Sequence, residues 1–173
     1  MDEPDYSRLM EECIDIAYRG NNDNVFPMVG CIILDRNYQR ISEGWRRRIE
    51  GTSATLHAER DAINKAKDSN AELIGGTLIC TLEPCKTPRD IAETRGFRIK
   101  HIFTACSNLI VDSGIARVVY ASEDPSGVGG IANLKARGVE TIHLEHISKR
   151  VQRILHDDPQ SERRRRRETR RSY

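Results

Sequence analysis

The chain has 173 residues, 38% of them hydrophobic and 5% aromatic, with 28 Lys and Arg against 26 Asp and Glu. That length suits one domain with a real core and a short extension. The apolar runs MVGCIIL, GGTLIC and ARVVYA are of strand length, far short of the ~20 residues of a membrane span. The start, MDEPDYSRLMEECIDIA, is acidic and amphipathic rather than signal-like, so a cytoplasmic protein without membrane contact is expected. Five widely spaced cysteines do not suggest a disulfide framework. Cys13, Cys31 and Cys80 sit among apolar neighbours and read as small buried hydrophobes. Charge is uneven along the chain. Residues 161–173, SERRRRRETRRSY, hold seven Arg and two Glu, which leaves 21 basic and 24 acidic residues for the rest.

In chain order, apolar residues at helical spacing predict a first helix from Tyr6 to about Arg19, stopped by GNNDN. MVGCIIL predicts a strand, DRNYQR a turn, and ISEGWRR an antiparallel return. EGTSAT is a loop in which Ser53 or Thr55 would cap the next helix, whose apolar face is Ala58, Ala62, Ile63 and Ala66. IGGTLICTL reads as a strand buried on both sides and ended by Pro84. Residues 86–105 are polar and irregular, an inserted loop. CSNLIVDSGI then predicts a short helix, ARVVYA a strand, DPSGVGG a turn, IANLKARG a helix, VETIHLEHI a final strand and KRVQRILH a last helix. The order predicts an α/β protein of three layers, α/β/α, around a central mixed five-stranded sheet. Residues 1–156 form the expected domain, and the Arg-rich 157–173 is too charged to fold alone.

Several residues in this plan are suited to metal chemistry. A catalytic zinc takes three protein ligands from His, Cys or carboxylate and keeps one position for water, whose proton a neighbouring carboxylate can move. His57 and Glu59 stand two apart at a helix start, Cys85 follows a central strand, and Cys106 opens the next helix. Helix N-termini favour thiolate. All of them are expected at one edge of the sheet. His101, in the insertion, is the rival third ligand, with Cys106 then a buried thiol.

The stretches HAE and TLEPC resemble the zinc-dependent cytidine/deoxycytidylate deaminase superfamily, whose H-x-E…P-C-x-x-C signature is general knowledge of these enzymes. The likeness covers roughly residues 6–145. PMVGCIILD, HAERDAI, GGTLICTLEPC and CSNLIVDSGIARVVYASEDPSGVGGIANLKARGVE are similar to the riboflavin-pathway aminopyrimidine deaminase branch. The resemblance implies a cytidine-deaminase-like fold, Zn2+ held by His57, Cys85 and Cys106, and Glu59 as proton shuttle. It implies a hydrolase that releases ammonia from an aminopyrimidine or related nucleobase, nucleoside or nucleotide, of riboflavin-type or antibiotic-pathway kind. The chain departs from the superfamily pattern in its cysteine spacing, because 20 residues separate Cys85 from Cys106. Phe26 stands where the branch has asparagine.

The remaining residues keep two readings each. Phe26 either walls the base pocket or packs in the core, and Ala58 is a candidate substrate contact. Glu83 is expected to brace its loop. Arg46, Arg47 and Arg48 either meet a substrate phosphate or form a solvated strand end. The Arg-rich tail binds nucleic acid, acts as a nuclear address, or has no function; phosphate neutralisation would be strong but blind to base sequence. Two other functions therefore stand beside the small-molecule deaminase: an RNA or DNA base deaminase tethered by the tail, and a zinc-stabilised binding module without turnover. A homodimer is also expected, since an open sheet with helical faces leaves surface for one.

Overall fold

A computed structural model of the chain describes residues 3–20, 25–50, 55–86, 104–124 and 129–156, with only the backbone of 154–156. Helix α1, Tyr6–Gly20, buries Met10, Cys13, Ile14 and Ala17, the i, i+3, i+4, i+7 face read from the sequence. Strand β1, Gly30–Leu34, is buried at every position, and β2, Arg40–Trp45, returns antiparallel beside it. Asp35 closes the hairpin, its carboxylate accepting from the Asn37 and Gln39 N–H groups at 2.8 Å each. Helix α2, Ala58–Asp68, and strand β5, Thr77–Leu82, follow, with two very short strands, β3 at Arg47–Arg48 and β4 at Thr55–Leu56, paired ahead of α2. Then come α3, Cys106–Asp112; β6, Arg117–Ser122; α4, Ile131–Ala136; β7, Glu140–His143; and α5, Glu145–His156.

The main sheet has five strands in the order β2-β1-β5-β6-β7. β1 is antiparallel to both neighbours, whereas β5, β6 and β7 are parallel. Helices α1 and α5 pack on one face, and α2, α3 and α4 lie on the other. This is the three-layer mixed sheet that the element order predicts. Ile32, Ile33, Leu78, Ile79, Val118 and Val119 are fully buried between the helical layers. Cys13, Cys31 and Cys80 are free and fully buried, and burial pushes all three thiols up. They are core residues, as read from the sequence. No helix among the described residues is long and apolar enough to cross a membrane.

Gly44 lets α2 reach the sheet. A Cβ there would lie 2.3 Å from the Ala58 carbonyl oxygen and 2.5 Å from the Ala62 nitrogen. Buried Asp61 fixes the same approach, accepting from the Trp45 N–H at 3.3 Å and pairing with Arg47 at 3.0 Å and Lys65 at 2.7 Å.

Some local expectations are corrected. The strand drawn through VETIHLEHI ends at His143, and α5 begins at Glu145. Leu144, Ile147 and Val151 are buried at helical spacing, which governs once the Leu144 N–H has made the last sheet-like bond, to the Tyr120 carbonyl at 2.8 Å. Thr55 does not cap α2. It lies in β4 and accepts a hydrogen bond from Arg46 at 3.2 Å, while His57 is the N-cap residue, with no side-chain capping bond. Ser53, His101 and residues 157–173 lie outside the described residues.

Candidate metal centre and active site

The carboxyl ends of β5 and β6 and the amino ends of α2 and α3 meet at one edge of the sheet. His57 precedes the first residue of α2, Cys85 lies just past β5, and Cys106 is the first residue of α3. The strand β5 delivers Cys85 because Pro84 cannot continue the ladder. Beyond it, Cys85 forms a bridge to Gly129, and the Pro84 carbonyl accepts from the Gly130 N–H at 2.7 Å. Residues 25–29 enter at this same edge, since β1 runs against β5 and the Gly30 N–H donates to Thr81 Oγ1 at 3.2 Å.

His57 Nδ1 lies 3.7 Å from Cys85 Sγ and 3.5 Å from Cys106 Sγ, and the three candidate ligand atoms fall within 4.8 Å of one another. A tetrahedral zinc, about 2.3 Å from sulfur and about 2.0 Å from nitrogen, sets N–S edges of about 3.5 Å. One nitrogen and two sulfurs at these separations therefore suit zinc in both chemistry and size. The Cys106 N–H donates to Cys85 Sγ at 3.3 Å, and the Ser107 N–H to the Cys85 carbonyl at 3.1 Å. A second hydrogen bond, from the Cys106 thiol itself, helped by His57 and opposed by burial, pulls the Cys85 thiol down to about 4. The same bond, with burial, pushes the Cys106 thiol up, and the nearby charge of Arg60 works the other way. The pair is thus biased toward a thiolate at Cys85, which suits it to a cation.

Glu59, in the first turn of α2, is 4% exposed. Burial raises its carboxyl above the usual carboxylate range, with His57 opposing. A buried carboxyl within electrostatic reach of His57 and Cys85 is placed to accept a proton and give it back. Glu83 does bracing work. Its carboxylate accepts the Asp124 N–H at 2.7 Å and the Ile131 N–H, and burial raises it. Gly129 gives that carboxylate room, since a Cβ there would lie 1.9 Å from it.

The other candidates fall as follows. Phe26, 40% exposed, is one of two large exposed apolar residues among those described. Ala58 is fully buried where α2 meets Gly44. Arg46 bonds Thr55, its charge close enough to Glu59 to favour the carboxylate; Arg47 pairs with Asp61; Arg48 is exposed. His143 stacks on Tyr120 with ring centroids 4.6 Å apart, and His146 bonds Ser7 at 2.9 Å; neither belongs to the cluster of His57, Cys85 and Cys106. Sequence reasoning passed over Arg60, which is 9% exposed and donates to the Thr104 carbonyl at 2.5 Å. Its only sequence signal is a cation on the inner side of a helix, three residues after His57.

Comparison with known proteins agrees with this geometry. Residues 3–122 match the family model described as the cytidine and deoxycytidylate deaminase zinc-binding region. The chain is 32% identical over 141 residues to the riboflavin biosynthesis protein RibD of Actinobacillus pleuropneumoniae, covering 77% of this chain and 31% of that protein. It is 30% identical to the tRNA-specific adenosine deaminase of Haemophilus influenzae, over 68% of this chain and 58% of that one. Among solved structures, the diaminohydroxyphosphoribosylaminopyrimidine deaminase/5-amino-6-(5-phosphoribosylamino)uracil reductase of Thermotoga maritima superposes with a TM-score of 0.67 at 30% identity, over 87% of this chain and 39% of that chain. The chain thus spans only about a third of the RibD protein and somewhat more of the Thermotoga one.

Proposed function

Because this chain belongs to the cytidine and deoxycytidylate deaminase zinc-binding family, we propose that it is a zinc-dependent hydrolase that converts the amino group of an aminopyrimidine to a carbonyl and releases ammonia. The observation that carries this reading is the meeting of His57, Cys85 and Cys106 around one point, with buried Glu59 two residues from His57. His57, Cys85 and Cys106 are the zinc ligands. Bound zinc supplies a water acidic enough to yield hydroxide near neutral pH. Glu59 takes the proton as the water oxygen adds to the amine-bearing ring carbon. It delivers that proton to the ring nitrogen and then carries the hydroxyl proton of the adduct to the amine, so that the C–N bond breaks, ammonia leaves and the carbonyl forms. Glu83 holds the turn that presents Cys85.

Residues 1–156 form the catalytic unit, with 86–105 inserted between the cysteines. The likeness to the Thermotoga diaminohydroxyphosphoribosylaminopyrimidine deaminase/reductase supports an aminopyrimidine ribotide as substrate. Phe26 offers an apolar face to its ring at the edge where the ligands meet. Ala58, whose side chain is buried, has only its main chain to offer a substrate.

The likeness to a tRNA adenosine deaminase, with the arginine run in residues 161–173, favours a second reading in which the base belongs to RNA. A panel separates the two: cytosine and adenine derivatives, the riboflavin-type aminopyrimidine ribotide, and short single-stranded RNA and DNA. The first reading predicts ammonia from the ribotide, unaltered by deleting residues 161–173. Release from RNA alone, falling with added salt and with that deletion, would establish the second. A protein that binds zinc and releases ammonia from none of them would be the binding module.

A further inference from the structure

The geometry points to Arg60 as the residue that positions the third zinc ligand, clamping the main chain at Thr104 so that Cys106 stands at the right distance from His57. The inference rests on the reading of His57, Cys85 and Cys106 as ligands.

The cysteines are separated by 20 residues, so nearness in sequence does not by itself set Cys106 beside Cys85 or His57. Toward Cys85, the fixing is done by the Cys106 and Ser107 N–H groups, which bond the Cys85 sulfur and carbonyl. Those bonds join the two cysteines to each other. They do not join them to α2, which carries His57. Arg60 makes that connection. It stands one residue after Glu59 and three after His57, and its buried guanidinium donates to the carbonyl of Thr104, two residues before Cys106. Cys106 is thereby tied on one side to Cys85 and on the other to the helix that follows His57. A planar guanidinium has its donors in fixed directions, so it sets a distance as well as supplying charge, which an ammonium on a flexible stem does less well.

The role is one of positioning, and its test reads the metal. In the full-length protein, zinc affinity is measured by chelator competition, and the thiolate-to-metal charge-transfer band is recorded with cobalt(II) in place of zinc. Cys106→Ser is the reference for loss of one sulfur ligand. Arg60→Met is expected to weaken zinc binding by about 10- to 100-fold, as loss of a ligand-orienting partner does. Its cobalt band should shrink toward that of Cys106→Ser, and Arg60→Lys should recover part of both. A folded Arg60→Met with native affinity and an unchanged band overturns the proposal, as does one that is only less stable and keeps the native band. If Arg60→Met fails to fold, Arg60→Lys decides by the same readings, a smaller loss supporting the role and none refuting it. If Cys106→Ser itself leaves affinity and band untouched, the ligand assignment fails and takes this inference with it. If Cys106→Ser has its effect and Arg60→Met has none, only the role of Arg60 fails.

Discussion

Glu59 and Asp61 lie two residues apart near the start of α2, both nearly inaccessible, and their partners give them different tasks. Asp61 is satisfied by Trp45, Arg47 and Lys65, whereas Glu59 is pushed up by burial in the company of His57 and Cys85. Glu59→Gln should therefore keep zinc while ammonia release falls by about 10²- to 10⁴-fold, the usual worth of a positioned acid–base group. Metal content and turnover measured on the same sample check this. Asp61→Ala should leave the site chemistry intact in the folded protein but cost roughly 1–3 kcal/mol in urea unfolding, since it strands a backbone N–H and two cations that are themselves partly solvated. At this scale the sequence was informative where types and spacing are unusual, as with His57, Glu59 and Cys85. It was silent on Asp61 and Arg60, because an acid or a cation in a charged helix looks the same whether it faces solvent or a buried carbonyl.

Helix α2 and the β1–β2 hairpin behave as one element, and Gly44 is the point of contact. Gly44→Ala would force the Ala58 and Ala62 backbone away from β2, so a loss of about 3 kcal/mol or more is expected, with weaker zinc binding because His57 moves with the helix. Urea unfolding and chelator competition together check this; native stability would show that the helix yields without cost. The main helices and strands were legible because their apolar periods differ so clearly. The end of β7 was not, because Ile142 and Leu144 continue an alternating pattern that only the helical spacing of Ile147 and Val151 interrupts. The pair β3–β4 was unreadable for another reason. Each member has two residues, too few to show any period.

His57, Cys85 and Cys106 come from three separate chain segments and meet at one point, so zinc bound there should contribute to stability. Free zinc at a thousand times its dissociation constant stabilises by about 4 kcal/mol, and its removal should lower Tm by roughly 8–16 °C for a chain of this size. A scan with and without chelator tests this, and Cys106→Ser should shrink the difference. The layered fold and the ligand edge were legible at this scale because helix starts and strand ends in an α/β sheet are gathered at one side by topology alone. The choice between His101 and Cys106 was not settled by spacing; the distance of 3.5 Å from His57 Nδ1 to Cys106 Sγ is what favours Cys106. The most direct measurement of the central claim is ammonia release from the aminopyrimidine ribotide by the zinc-loaded chain, with Glu59→Ala alongside. Release by the native protein and none by the folded, zinc-bound variant is the predicted result. Equal release by both, or none from the native chain with zinc in place, would contradict it.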